Sequence, residues 1–288
     1  MDYKPQERYE IIEKVELSET ISKHIIHAPL IARKCMPGNF IILMPGEKSE
    51  RIPVTLVDWD REKGYITIIV QAIGKTTIEL NSLKKGDFIW EVAGPLGTPV
   101  EIKKYGVVVA IAGGVGIAEL YPIAKAFKEA GNKVISILGA RNSKLLILEK
   151  ETESISDEII VATDDGSQGK KGLVTDVLKE LYLKEKIDAI FTIGPLIMMK
   201  NIALVSKEHN TLTYASLNPI MLDGTGMCGG CRVLIDGKPK FACVDGPMFD
   251  AHKVDFETLI KRTNAYKNLE KMSLDKYNHT HNCKIGLH

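Results

Sequence analysis

The sequence predicts an α/β protein fronted by a β-barrel: an N-terminal antiparallel barrel, a doubly wound parallel domain, and a small C-terminal cysteine-bearing module. Three observations predict it. Residues from about 8 to 95 read as short strand-like runs separated by Pro and Gly turns, the pattern of a small antiparallel barrel. From Val107 onward, strand-like runs alternate with helix-like ones, as βαβ units do. Beyond Ser216 this alternation gives way to Asp223-Gly-Thr-Gly-Met-Cys228-Gly-Gly-Cys231, with Cys243 downstream. The shifts place the boundaries at 1–97, 98–216 and 217–288.

In the barrel, the expected strands are Tyr9–Leu17, Lys23–His27, Asn39–Met44, Ile52–Asp58, Tyr65–Gln71 and Asp87–Val92. Pro37-Gly38, Pro45-Gly46, Lys63-Gly64 and Lys85-Gly86 supply the turns. A short helix is expected over Thr76–Leu83. Past Gly94-Pro95-Leu96-Gly97, Val107–Ala112 is a continuous apolar run typical of a buried parallel strand. A helix follows to about Ala130, stopped by Gly131. Lys133–Leu138, Glu158–Ala162, Ala189–Ile193 and Thr211–Ala215 read as strands, and Leu173–Leu183 and Leu196–Lys207 as helices. A last helix near Asp255–Arg262 and a polar tail close the chain.

Composition bounds the function. The 288 residues are 44% apolar and 26% charged, enough for two compact domains and an appendage. A net charge of +1 argues against nucleic-acid or anionic-membrane binding. The longest apolar runs are of strand length and too short to cross a bilayer. The charged N-terminus does not read as a signal peptide, so a reducing cytoplasm is expected.

The cysteines carry the most specific signal. Three of the chain's five fall between positions 228 and 243 in the spacing Cys-x2-Cys-x11-Cys. The plant-type [2Fe-2S] pattern opens Cys-x4-Cys-x2-Cys and closes with a distant cysteine. Asp223 stands where the first cysteine would be. Two irons need four terminal ligands, so Asp223, Cys228, Cys231 and Cys243 are the candidate set, with the carboxylate as a harder fourth donor. A zinc site, a disulfide and ordinary buried thiols are the competing readings. A structural zinc site usually shows two paired clusters, and a disulfide is not expected without a secretory signal.

In the second domain, Gly113-Gly114-Val115-Gly116 follows a strand and opens a helix. Glycine lets the backbone approach a pyrophosphate, and a helix start offers free N–H groups. Glu119 occupies the last glycine position of the dinucleotide fingerprint, so a plain tight turn remains the rival reading. Arg141, Asp164, Asp165, Gly194 and Pro195 lie at other strand ends on the same edge. Together they favour a dinucleotide site over isolated surface roles. In the barrel, Arg51, Pro53, Val54 and Thr55 lie on one strand, and Ala72 leads into Gly74-Lys75-Thr76-Thr77, a second anion-ready helix start. An edge strand and an ordinary capped helix are the alternative there.

These motifs together resemble the ferredoxin-reductase superfamily over about residues 8 to 260. The likeness is strongest to its branch with a C-terminal [2Fe-2S] module. That branch includes the electron-transfer subunit of dihydroorotate dehydrogenase and the small subunit of NADH-dependent reduced ferredoxin:NADP+ oxidoreductase, also called sulfide dehydrogenase beta subunit. Asp223 in place of a cysteine resembles the second more than the first, which carries four cysteines. The resemblance implies an FAD-binding barrel, with Arg51, Pro53, Val54 and Thr55 on the flavin strand and Gly74, Thr76 and Thr77 at its pyrophosphate. It also implies an NAD-binding domain using Gly113, Gly114, Val115 and Gly116. NAD(H) is the nucleotide the family favours; Arg141 would suit NADP(H). The family's Cys-Gly-Pro reads Ile193-Gly194-Pro195 here, so no thiol acts from that position. The implied partner is a larger FAD and [4Fe-4S] subunit in a heterodimer, through which ferredoxin is reached. Hydride exchange with a flavin needs positioning more than proton abstraction, so no acid or base residue is expected.

His279-x-His281-x-Cys283 and His288 resemble a metal tract, but the surrounding polar composition reads as a mobile tail.

Overall fold

The structure, a computed structural model, describes residues 9–285, and their side chains through residue 279. The barrel is built from β1 (Ile11–Glu16), β2 (Ile21–His27), the short helix α1 (Pro29–Ala32), β3 (Phe40–Met44), β4 (Ile52–Thr55), β5 (Asp58–Asp60), β6 (Tyr65–Gln71), helix α2 (Lys75–Ser82) and β7 (Glu91–Leu96). Its strands form two antiparallel sheets, ordered β1-β2-β6-β5 and β4-β3-β7. Ile11, Ile26, Ile41, Leu43, Leu56, Ile66, Ile68, Leu80 and Ile89 fill the space between them. Alternation along each strand sends one set of side chains inward.

The run expected as a single strand over Ile52–Asp58 is two strands. β4 pairs with β3, whereas β5 pairs with β6 in the other sheet. The break falls at Leu56 and Val57, which are both buried. Two consecutive inward residues cannot sit on one flat strand, so the chain turns a barrel corner there. Leu56 N–H bonds to Asn39 O at 3.4 Å on one sheet, and Val57 N–H to Thr67 O at 2.9 Å on the other. β7 lies later than the Asp87–Val92 expected, because it runs through Gly94 against Ile41.

The second domain comprises β8 (Val107–Gly113), α3 (Gly116–Glu129), β9 (Lys133–Ala140), α4 (Glu149–Ser154), β10 (Glu158–Thr163), β11 (Lys170–Lys171), α5 (Val174–Tyr182), β12 (Ala189–Ile193), α6 (Leu196–Glu208) and β13 (Leu212–Ser216). The remainder forms β14 (Arg232–Ile235), β15 (Lys238–Phe241), β16 (Met248–Asp250), α7 (Phe256–Asn264) and α8 (Lys267–Ile285). The large sheet runs β11-β10-β9-β8-β12-β13-β16. Its first six strands are parallel, and β16 joins antiparallel to β13. Strand order reverses at β8, so loops after β8, β9, β10 and β12 open on one edge, where open α/β sheets bind ligands.

One apolar cluster joins all three segments. Phe40 and Ile42 of the barrel, Met199 and Ala203 of α6, Ala215 and Leu217, and Cys231, Val233, Cys243 and Phe249 belong to it. The cysteine segment is therefore anchored on both sides rather than tethered. Asp255 caps α7 by accepting the Thr258 amide at 3.0 Å.

The polar tail is helical: α8 follows α7 directly and reaches Glu50 of the barrel through Ser273 Oγ at 3.4 Å. The side chains of His281 and Cys283, and residue His288, lie outside the described residues. Among the described residues, no helix is long and apolar enough to cross a membrane.

Candidate functional site

The glycine loop after β8 separates two uses of glycine. Gly116 begins α3 in close contact with β12, where an added Cβ would lie 2.7 Å from the Ile193 carbonyl oxygen. Gly114 has φ +59 and nothing within 4 Å of an added Cβ. One glycine is filled by packing, and the next faces open space. Gly113 meets Pro195 and Met198, and Gly194 approaches the Gly113 backbone, so the β8 and β12 loops come together as the sequence suggested. Val115 is exposed beside them. Gly114 N–H also bonds to Gly139 O at 2.8 Å, drawing in the end of β9.

The next two loops lie along the same edge. The Asp164 amide bonds to Ala140 O at 3.0 Å and the Asp165 amide to Arg141 O at 3.3 Å. Arg141, Asp164 and Asp165 are all exposed. The Asp165 carboxylate accepts the Ser167 amide at 2.9 Å, and bonds from Ser167 hold its pKa below the usual carboxylate range.

Where the barrel meets this domain, a carboxylate lies between two hydroxyls. Thr55 Oγ1, at the end of β4, donates to Glu119 Oε2 at 3.1 Å. Ser216, at the end of β13, donates to Glu119 Oε1. Burial raises the Glu119 carboxyl above its ordinary pKa, against the lowering pull of Ser216 and Thr55. A glutamate at a fingerprint glycine would repel a pyrophosphate if aimed at it. Here it is turned toward the barrel. Sequence reasoning missed this junction, although an acidic residue in the first turn of a phosphate-type helix was its visible signal.

Arg51 lies just before β4 and Pro53 and Thr55 on it, all three turned outward, while Val54 packs in the barrel core. The Arg51 guanidinium pairs with Glu91 at 2.6 Å and donates through Nε to Leu222 O at 2.7 Å. It thus ties the barrel to the segment preceding the cysteine loop. At the α2 turn, Ala72 N–H bonds to Thr20 O at 2.7 Å. Thr77 Oγ1 receives the Gly74 amide at 2.9 Å, and Thr76 Oγ1 donates to Glu50 at 3.0 Å. Both hydroxyls are engaged within the protein, which leaves the first-turn amides of α2 as the donors for an anion.

The cysteine loop is organised by Asp223. Its Oδ1 accepts the Thr225 amide at 3.0 Å, and its Oδ2 accepts those of Met227 and Cys228 at 3.0 and 2.7 Å. Cys231 and Cys243 are each 1% exposed, with sulfurs 3.1 Å apart. Cys228 is exposed at the loop surface. The Gly230 amide approaches Cys228 Sγ at 3.5 Å, and the Cys243 amide approaches Cys231 Sγ at 3.5 Å. Burial and the adjacent Cys231 push the Cys243 thiol up to about 12, so loading a metal there releases protons.

Three thiols, amides aimed at sulfur and a carboxylate bonded to the Cys228 amide fit an iron–sulfur centre. Among the described residues, no three His, Cys, Asp or Glu side chains are gathered around a point that one metal ion could occupy.

Comparison with known proteins agrees with this geometry. A family model described as the iron-sulfur cluster binding domain of dihydroorotate dehydrogenase B matches residues 218–255. Another, the oxidoreductase NAD-binding domain, matches residues 110–203. A Thermotoga maritima protein, a homolog of the electron transfer subunit of dihydroorotate dehydrogenase B (NAD(+)), is 48% identical over 93% of this chain and 95% of its own. An uncharacterized protein encoded in the adh 3'region of Clostridium beijerinckii is 45% identical over 91% and 92%. Among solved structures, a chain from the NADH-dependent reduced ferredoxin-NADP oxidoreductase, studied for flavin-based electron bifurcation, superposes with a TM-score of 0.89. It is 46% identical and covers 96% of this chain and 99% of that one.

Proposed function

The chain belongs to the family of dihydroorotate dehydrogenase B electron-transfer subunits and their homologues, and from that premise we propose that it is the NAD(H)-side subunit of a bifurcating oxidoreductase. NAD(H) would lie across the Gly113–Gly116 loop, with the Gly114 opening for its pyrophosphate and Gly194-Pro195 at its reactive end. Arg141, Asp164 and Asp165 would meet its distal part. FAD would lie along the Arg51–Thr55 strand, with its phosphates at the α2 amides. Asp223, Cys228, Cys231 and Cys243 would hold a [2Fe-2S] centre. Bound, these groups convert a two-electron hydride into single electrons. The chain's own residues position the groups.

The partner would be a larger FAD and [4Fe-4S] subunit reacting with NADP+ and ferredoxin, in the cytoplasm. Asp223 carries this finer reading. The chain has a carboxylate where a four-cysteine module has its first thiol, and likeness to the bifurcating enzyme's chain extends over nearly the whole length. Names of curated relatives support a second reading, electron delivery to a dihydroorotate dehydrogenase. The test is anaerobic purification from the native cell followed by assay of the complex. Reduction of NADP+ by NADH together with reduced ferredoxin is expected. A complex that instead reduces NAD+ with dihydroorotate overturns the first reading in favour of the second.

A further inference from the structure

The resemblance puts Arg51 on the flavin strand, but its guanidinium is bonded to the segment that opens the cysteine loop. Nε donates to Leu222 O at 2.7 Å, and Nη1 pairs with Glu91 at 2.6 Å. We propose that Arg51 is a positioning residue of the iron–sulfur loop: held by Glu91, it fixes the peptide that leads into Asp223, and so the place of that carboxylate among the ligands. The inference rests on the functional reading above, which gives Asp223, Cys228, Cys231 and Cys243 to a [2Fe-2S] centre.

The barrel builds this grip from both sides of one strand. Ile52 pairs with Leu43, and Glu91 pairs with Met44, the next residue along β3. Arg51, one residue before Ile52, and Glu91 therefore stand at the same end of the β4-β3-β7 sheet. An exposed ion pair contributes little by itself, and these side chains are 28% and 46% exposed. The effect of the pair lies in direction. With one nitrogen tied to Glu91, the planar guanidinium presents Nε in a fixed orientation.

A peptide unit is planar. The Leu222 carbonyl and the Asp223 amide share one plane, so a bond to that oxygen orients the backbone as it enters Asp223. Gly224 completes the seat. It is buried with φ +76, and an added Cβ would lie 2.5 Å from Leu96 Cδ1 and 2.9 Å from Ile42 Cδ1. Asp223 is thus fastened to the barrel by a polar contact before it and an apolar one after it. Its carboxylate then takes the amides of Thr225, Met227 and Cys228, so a shift at Leu222 passes on to Cys228. The guanidinium is engaged within the protein, and FAD binding along the strand does not depend on it.

Two other roles compete: a ligand to a flavin phosphate, and a plain staple between barrel and loop. The full chain is purified anaerobically, with FAD and its cluster, as wild type, Arg51→Gln and Glu91→Gln. FAD per chain, the EPR spectrum after dithionite reduction, and the rate of iron loss to bipyridine are measured. In Arg51→Gln, FAD content should stay at the wild-type level while the g-values shift. Iron loss should be about ten-fold faster, the low end for losing a hydrogen bond from a charged group. Glu91→Gln leaves Arg51 in place but releases its guanidinium. It should shift the g-values with a smaller change in rate, and it decides the outcome if Arg51→Gln does not fold. A flavin ligand would instead lose FAD with the cluster signal unchanged. A staple would lower the melting temperature with FAD and g-values both unchanged. Either result, or wild-type g-values in Glu91→Gln, overturns the proposal. A wild-type chain without a [2Fe-2S] signal overturns the functional reading itself; a normal wild-type signal with any of those results overturns this inference alone.

Discussion

Two carboxylates in this chain meet opposite surroundings. Asp223, in the cysteine loop, accepts three backbone amides. The Thr225 amide, with those of Cys228 and Met227, holds it below its ordinary range. Glu119, in the cleft between domains, accepts only hydroxyls, and burial raises it. Amide dipoles aimed at a carboxylate favour its charged form; enclosure without enough donors favours the neutral one. The loop therefore keeps a fixed negative charge beside its thiols. The cleft keeps a group able to hold a proton.

The largest expected effect breaks the loop side. Cys231→Ala removes a buried thiol 3.1 Å from Cys243. Iron content and the [2Fe-2S] EPR signal should both be lost, while flavin and nucleotide binding survive. A normal signal in the variant would remove Cys231 from the ligand set.

The cleft side breaks differently at adjacent glycines. An alanine at Gly116 would press its Cβ against Ile193 O at 2.7 Å, an overlap that costs about 1–3 kcal/mol of stability. At Gly114 nothing lies within 4 Å, but φ is +59. Gly114→Leu should destabilise by about 1–2 kcal/mol through backbone strain. It should also raise the KM for the nicotinamide about ten-fold, equivalent to roughly 1.4 kcal/mol of binding. If Gly114→Leu binds nucleotide normally, the open space beside it is not part of the site.

Much of this contrast was legible in the sequence. The cysteine spacing and glycine loops are local patterns, and local patterns survive translation into structure. The parallel strands were legible because buried strands write continuous β-branched runs, as Val107–Ala112 does. The barrel corner at Leu56-Val57 was not, because a run of apolar residues does not say which sheet each belongs to. The helix over 267–285 was also missed: its residues lack an apolar stripe, so nothing in the pattern separates it from coil. The Glu119 junction joins residues 64 and 97 positions apart. Such a contact exists only after the domains fold together, and no local rule predicts it.

A smaller effect sharpens the loop side. Asp223→Cys restores a four-thiol set while deleting an acceptor for three amides. The cluster should still assemble, since thiolates are the usual ligands. Its potential should shift downward, because terminal-ligand type and hydrogen bonding both tune it. Potentiometry followed by EPR reads the shift. An unchanged potential would mean that Asp223 shapes the loop without touching iron.

The smallest effect tests the cleft side through pH. The folded state holds the Glu119 carboxyl above its ordinary value of 4.5. It therefore favours the protonated form, and this contribution to stability is fully present below 4.5. It is lost as pH rises through the raised folded value. Glu119→Gln replaces the acid with a neutral group of similar shape that does not titrate. Thermal melts of the two proteins at equal flavin content, between about pH 4 and 8, should show the variant gaining on the wild type as pH rises. The sign matters more than the size. A gap that is constant with pH would mean that two hydroxyls satisfy the carboxylate as well as three amides do, and the distinction between the two regions would then lose its physical basis.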